Sequence, residues 1–154
     1  MAQLSTMHQV FDILSKKDGI IEIHGRPGVG KTTLMLQTVD EVNKHKDGTA
    51  LIFSMAESKT QLIHRMQQMN VSCDRVVIDD TPHPTAEHMQ AKIKQVGNVS
   101  ILCIDYLQLL ENTVRERLPR IAAEFGIPIL AVRVLDRKNY EEDKGVYLWA
   151  QNGN

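Results

Sequence analysis

Cysteine is scarce in this chain. There are two, Cys73 and Cys103, far apart and without metal-ligand spacing, so a disulfide scaffold and a zinc knuckle are both excluded. Cys103 lies inside an apolar run and reads as a buried reduced thiol. Long apolar runs are missing too, so no segment is fit to span a bilayer. The start, "MAQLSTMHQV", lacks the basic and apolar regions of a secretion signal, and the expected location is the cytoplasm, with no membrane partner. Charge of one sign is also lacking: 18 Lys and Arg stand against 19 Asp and Glu, for a net charge of −1. That argues against strong nonspecific attraction to nucleic acid, which needs a basic surface, and leaves room only for a local basic patch or one built by ring assembly. Linkers, repeats and low-complexity segments are absent. A chain of 154 residues is expected to form a single domain, 1–154, with a real core.

What is present is an alternation. "IIEIHG" (20–25), "ALIFSM" (50–55), "RVVIDD" (75–80), "SILCIDY" (100–106) and "IPILAVRV" (127–134) are short, aliphatic and strand length. Their apolarity is continuous, as in strands buried on both faces of a parallel sheet. Helical patterns lie between them. Residues 32–44 carry Leu34, Met35, Val39 and Val42. "SKTQLIHRMQQM" opens with a capping box, Ser58 with Gln61, and Thr6 with Gln9 repeats that pattern before an N-terminal helix. "PTAEHMQAKIKQV" places Ala86, Met89, Ile93 and Val96 on one face, with Pro84 suited to a first turn. In "RERLPRIAAEF", Pro119 predicts a kink or a helix start near Leu118. "GVYLWA" (145–150) reads as a last strand at a sheet edge. The fold class implied is α/β, a mostly parallel sheet flanked by helices and joined by right-handed crossovers.

The most informative stretch is "HGRPGVGKTTLML". Gly25, Gly30, Lys31 and Thr32 match G-x-x-x-x-G-K-[ST], with Arg26, Pro27, Gly28, Val29 and Thr33 completing the cradle. Glycines let main-chain N–H groups wrap a phosphate, and the helix that follows points its positive end at it. Lys31 is placed to reach the β- and γ-phosphates, and the Thr32 hydroxyl to ligate magnesium. A bare glycine turn would explain the loop alone. The apolar strand before it and the amphipathic helix after it favour a P-loop NTPase that takes ATP and Mg2+.

Such a loop needs a carboxylate at the end of a neighbouring buried strand. "SILCIDY" offers Asp105, at the rim where open α/β sheets bind ligands; its plain alternative is a turn cap. Hydrolysis also needs a group that orients water. Glu57, just before the helix cap Ser58, reads equally as that base or as a charge favouring the helix start. Asp79 and Asp80, in "DDTP", read mainly as turn and cap chemistry.

These residues, taken together, resemble a family: the RecA-like C-terminal motor domain of the DnaB-type bacterial and phage replicative DNA helicases. The resemblance runs from about Gly19 to Arg137. "GRPGVGKTTLML" is similar to its phosphate loop, "ALIFSMAESKTQLIHRM" to its FSLEMSxxQLxxR stretch, and "VIDDTPHPTAEHMQAKIKQ" to its IDDTP segment. "ILCIDYLQLL" resembles its VIDYLQL strand and "RIAAEFGIPILAV" its LAKELNIPVIAL. "DYLQLL" and "DDTP" in this order are far more specific than the phosphate loop alone. The resemblance implies that Lys31 and Thr32 hold phosphate and magnesium and that Asp105 is the second acid. It matches Gln108 to a glutamine that relays nucleotide state and Arg137 to the arginine ending an SQLSR segment. It implies ATP-driven unwinding in DNA replication, with single-stranded DNA, a homo-oligomeric ring or a replication protein as partners.

The departures matter as much. The family's catalytic glutamate falls at Ala56, with Glu57 one place later, and a one-residue shift after a strand turns a side chain the other way unless the loop compensates. "RVLDR" stands for SQLSR, so Val134 replaces its glutamine. "ENTVRER" and "KNYEEDKG" are short where the family has longer excursions. "WAQNGN" lacks both basic residues of the K-x-R-N-G finger, and the N-terminal collar has no counterpart here. A lost general base costs roughly 10²–10⁴ in rate and a lost arginine finger roughly 10³–10⁵. The expectation is therefore Mg-ATP binding with slow hydrolysis. The alternative is an impaired nucleotide-binding module that docks on and regulates a replication protein. A small-molecule kinase is disfavoured, since no acceptor site or arginine-rich lid is visible.

Overall fold

Seven strands form one sheet in the order β1-β7-β2-β6-β5-β3-β4. The computed structural model describes residues 2–4, 7–16, 19–25, 30–134 and 146–151. Along the chain come β1 (Ala2–Leu4), α1 (Met7–Lys16), β2 (Ile20–Gly25), α2 (Lys31–His45), β3 (Thr49–Ser54) and α3 (Lys59–Gln68). Then follow β4 (Val76–Asp79), α4 (Ala86–Val96), β5 (Val99–Asp105), a 3-10 turn (Leu107–Leu109), α5 (Asn112–Phe125), β6 (Ile129–Val134) and β7 (Val146–Gln151). The five strands from β2 to β4 pair in parallel; β7 and β1 add antiparallel at the β2 side.

Parallel pairing explains the unbroken apolar runs. Every residue of β5 is buried, because helices cover both faces. Side chains alternate between two cores. Ile21, Ile23, Ile52, Cys103, Leu130 and Val132 face α1, α2 and α3. Ile20, Leu51, Phe53, Leu102, Ile104 and Ile129 face α4 and α5. The helix after the glycine loop, α2, packs over β2, β3, β5 and β6, which carries its first residues to the C-terminal rim of the sheet. Among the described residues, no helix is long and apolar enough to cross a membrane.

The opposite rim is tied by side-chain hydrogen bonds, most of them to main-chain carbonyls. Arg75 donates to the carbonyls of Asn43, Lys46 and Gly48. The Asn43 amide returns a bond to the Arg75 carbonyl and takes one from Ser100. Gly48 is required there: a Cβ would lie 2.8 Å from the Asn98 carbonyl oxygen, with φ at 119°.

Three expectations are corrected. The last strand is not at the edge; β7 lies between β2 and β1, and β1, three residues with too short a pattern to read, forms the edge. Pro119 does not delay its helix, since α5 begins at Asn112 and runs through it. The proline removes one main-chain bond, and burial of Val114, Leu118, Ile121 and Ala122 against the sheet outweighs that loss. Thr85, rather than a proline-led first turn, caps α4 by accepting from His88 N–H at 3.0 Å. The Ser58–Gln61 capping box forms as read, whereas Thr6 lies outside the described residues.

Candidate nucleotide site

The C-terminal rim gathers the residues singled out by sequence. Gly30 precedes α2 with φ at 91° and caps it without a side-chain bond, so its left-handed backbone suits glycine. Lys31 and Thr32 open α2, where main-chain N–H groups face outward and the helix dipole favours anions. Lys31 is only 4% exposed, and burial holds its ammonium below the usual lysine range, against the pull of Asp105. Arg26, Pro27, Gly28, Val29 and Arg137 lie outside the described residues. Gly25 ends β2 and Thr33 lines the cavity described next.

Asp105, at the end of β5, is fully buried. Its Oδ2 accepts a 3.0 Å bond from the Thr32 hydroxyl. Its Oδ1 has no hydrogen-bond partner among the described residues. Burial pushes the Asp105 carboxyl up to about 6; the Thr32 bond opposes that, the Glu57 charge adds to it, and Lys31 and Arg65 oppose it. A buried acceptor without a partner costs about 1–3 kcal/mol, and here it sits beside a threonine hydroxyl and a lysine. This donor set, oxygen ligands only, is what a hard divalent cation takes.

A cavity of about 290 Å3 opens over these groups, lined by Gly30, Lys31, Thr32, Thr33, Glu57, Arg65 and Tyr106. Glu57 thus shares it with Lys31 and Thr32. Ala56 is exposed and lines only a neighbouring hollow, with Gln61, His64 and Gln68; Glu57 and Arg65 stand between the two and border both. The loop explains the difference. Main-chain N–H groups of Met55 and Ala56 both donate to the Asp105 carbonyl, at 2.7 and 3.1 Å. The Ser54 hydroxyl donates to the Glu57 carbonyl at 2.5 Å. The chain therefore turns over the end of β5 instead of continuing the strand alternation, and residue 57 comes to the cavity. Arg65 pairs with the Glu57 carboxylate.

Gln108, in the 3-10 turn, bonds the main chain of β6 twice. Its Nε2 donates to the Val134 carbonyl at 3.1 Å and its Oε1 accepts from Val134 N–H at 3.3 Å. The Asp79–Asp80 pair has the structural role read for it. Asp79 accepts from Thr81 N–H at 2.9 Å and contacts His88 Nε2 at 2.8 Å. Asp80 accepts from Lys59 N–H at 2.8 Å, at the start of α3. Sequence reasoning missed Arg65 and Tyr106. Tyr106 follows Asp105 directly; Arg65 is the arginine within "QLIHRM", a position whose reach back to the cavity only the fold reveals.

A family model described as the DnaB-like helicase C terminal domain matches residues 2–75. Over that stretch the chain is similar to the C-terminal domain of DnaB-like helicases. A probable replicative DNA helicase of Trieres chinensis is 28% identical, covering 89% of this chain and 40% of its own. The replicative DNA helicase DnaC of Bacillus subtilis (strain 168) is 26% identical, covering 79% and 36%. The chain therefore spans less than half the length of these relatives. Among solved structures, one described as an ATPase domain superposes with a TM-score of 0.69 at 21% identity, over 92% of this chain and 68% of that one. A DnaB-like replicative helicase studied for its interactions with primase superposes at 0.67 and 19% identity, over 94% and 48%. The fold is thus RecA-like, a parallel five-strand core flanked by helices.

Proposed function

We propose that this chain is a DnaB-like Mg-ATP-binding ATPase core, one domain over 1–154, whose ATP hydrolysis serves DNA unwinding in replication in the cytoplasm and is slow in the isolated chain. The observation that carries the reading is the Thr32–Asp105 bond at 3.0 Å beside the Asp105 Oδ1, which has no partner among the described residues. In this reading Thr32 and Asp105 hold the metal, and Lys31 lies on the phosphates with the start of α2 behind them. Bound magnesium would supply charge neutralisation at the β- and γ-phosphates. Glu57 orients the attacking water: the water oxygen bonds to the γ-phosphorus, the bond to the bridging oxygen breaks with its electrons leaving on ADP, and the water proton passes to the carboxylate. Its position in the cavity supports a base at residue 57 in place of Ala56. The main deficit is then the missing finger chemistry, worth roughly 10³–10⁵ in rate. Gln108 relays the state of the site to β6. Arg137, single-stranded DNA and a ring or replication partner belong to the same proposal.

The test is ATP hydrolysis with and without single-stranded DNA, for the wild type and Glu57→Ala. We expect slow Mg-dependent hydrolysis, faster with DNA, and at least tenfold slower in the variant. Turnover at the rate of a working motor without any partner would overturn the slow-core reading. A monomer in size exclusion with Mg-ATP that ignores DNA would favour the second reading, a regulatory module, for which the short connection speaks: ENTVRER is no loop, since α5 starts at Asn112 and only Glu111 separates it from Leu110.

A further inference from the structure

The backbone around Glu57 is fixed, but its side chain needs a separate hold. Ser54, the Asp105 carbonyl and the Ser58 capping box fix the loop from residue 54 to 58. None of them touches the Glu57 carboxylate. A glutamate has three rotatable bonds, and freezing a long side chain costs up to about 2 kcal/mol. The carboxylate is also close enough to the buried Asp105 for the two like charges to repel. Left alone, it would swing to solvent.

Arg65 supplies the hold. It lies in the last turn of α3, eight residues beyond Glu57, and reaches back over the capped start of that helix. Its Nη2 pairs with Oε1 and its Nε donates to Oε2 at 3.4 Å. Engaging both oxygens fixes the plane of the carboxylate as well as its place, which a guanidinium fork does and an ammonium does not. The pair is partly shielded, with Glu57 23% and Arg65 39% exposed, and both side chains line the cavity with Lys31 and Thr32.

We propose that Arg65 is a positioning residue that clamps the Glu57 carboxylate over the phosphate end of the cavity. The proposal rests on the reading of Glu57 as the group that orients water. It also explains how a chain with alanine at residue 56 keeps a base in place: the clamp offsets the one-residue shift.

Single-turnover hydrolysis of Mg-ATP, with nucleotide affinity and thermal melting measured alongside, tests it in the full chain. The set is wild type, Glu57→Ala, Arg65→Ala, the double variant and Arg65→Lys. Arg65→Ala is expected to slow hydrolysis of bound ATP roughly 10- to 100-fold, with Kd for ATP within about twofold. The double variant should be no slower than Glu57→Ala alone, because the clamp acts only through that carboxylate. Arg65→Lys keeps the charge without the fork and should recover part of the rate; it also serves if Arg65→Ala melts early. Losses that multiply in the double variant would overturn the clamp. So would an unchanged rate in Arg65→Ala. A Kd at least tenfold weaker with the rate of bound ATP unchanged would make Arg65 a phosphate ligand instead. If Glu57→Ala is silent while Lys31→Ala abolishes binding, the base assignment fails first and the clamp with it.

Discussion

Two strand-end aspartates lie two strands apart on the same rim, and they differ in what they leave undone. Asp79, at the end of β4, has a bond for each oxygen, from Thr81 N–H and His88. Its carboxyl is held below the usual range: burial works the other way, but the Thr81 and His88 bonds outweigh it. Asp105, at the end of β5, has one oxygen on Thr32 and one on nothing among the described residues, and burial lifts it to about 6. Both sequences, "VVIDD" and "LCIDY", look alike as strand-end acids. A carboxylate whose bonds are complete holds the fold together; a buried one left short strains the fold and is available to something else.

The sharpest way to break this contrast is to remove the cation beside Asp105. Lys31→Ala is expected to weaken ATP affinity more than 100-fold, while Asp79→Asn leaves it within about twofold, both read by equilibrium titration. Equal losses would erase the distinction between the two acids. Next in size is pH. The raised Asp105 carboxyl binds its proton more tightly folded than unfolded, so its contribution to stability is present at low pH and is lost as pH rises from about 4 through about 6. Asp79, shifted down, contributes above the ordinary aspartate range and loses that contribution as pH falls through its folded value. Without metal, Asp105→Asn should therefore stabilise the chain at pH 7.5 by on the order of 2 kcal/mol, and Asp79→Asn should destabilise it by about 1–3 kcal/mol. Denaturant unfolding checks both signs, and two losses of the same sign would contradict the contrast. Magnesium should reverse the first: Mg-ATP affinity should fall as pH drops below about 6, where Asp105 takes up its proton. The smallest effect probes the loop between the acids. Ser58→Ala should cost about 1 kcal/mol of stability, since it removes the 3.2 Å bond to Gln61 N–H.

Much of this was legible in the sequence. Continuous aliphatic runs separated by amphipathic stretches state a parallel sheet because strands buried on both faces have no polar side. The glycine spacing before Lys31 reads as a phosphate cradle because glycines let main-chain N–H groups close around an anion. Asp105 is legible as a rim acid, though the oxygen left without a partner among the described residues is not, since a bond partner depends on tertiary neighbours. β1 escaped notice because three residues carry no period. A helix start near Leu118 does not hold, because the local rule about Pro119 meets a nonlocal reward, burial of α5 against the sheet. Glu57 stayed undecided because strand alternation predicts where residue 57 points only while the strand continues, and here two N–H groups turn the chain onto the Asp105 carbonyl. Arg65 was invisible as a neighbour of Glu57 because an eight-residue separation joins them through a loop and a helix together.

The Gln108 bridge to β6 has one more consequence. Both of its bonds go to main-chain atoms of Val134, so no side chain at that position takes part. Residue 134 is therefore free to drift in composition without uncoupling the turn after Asp105 from the strand beside it. The valine found there costs the joint nothing, while Gln108 itself has no substitute among shorter side chains, because Asn carries the same amide but not the reach.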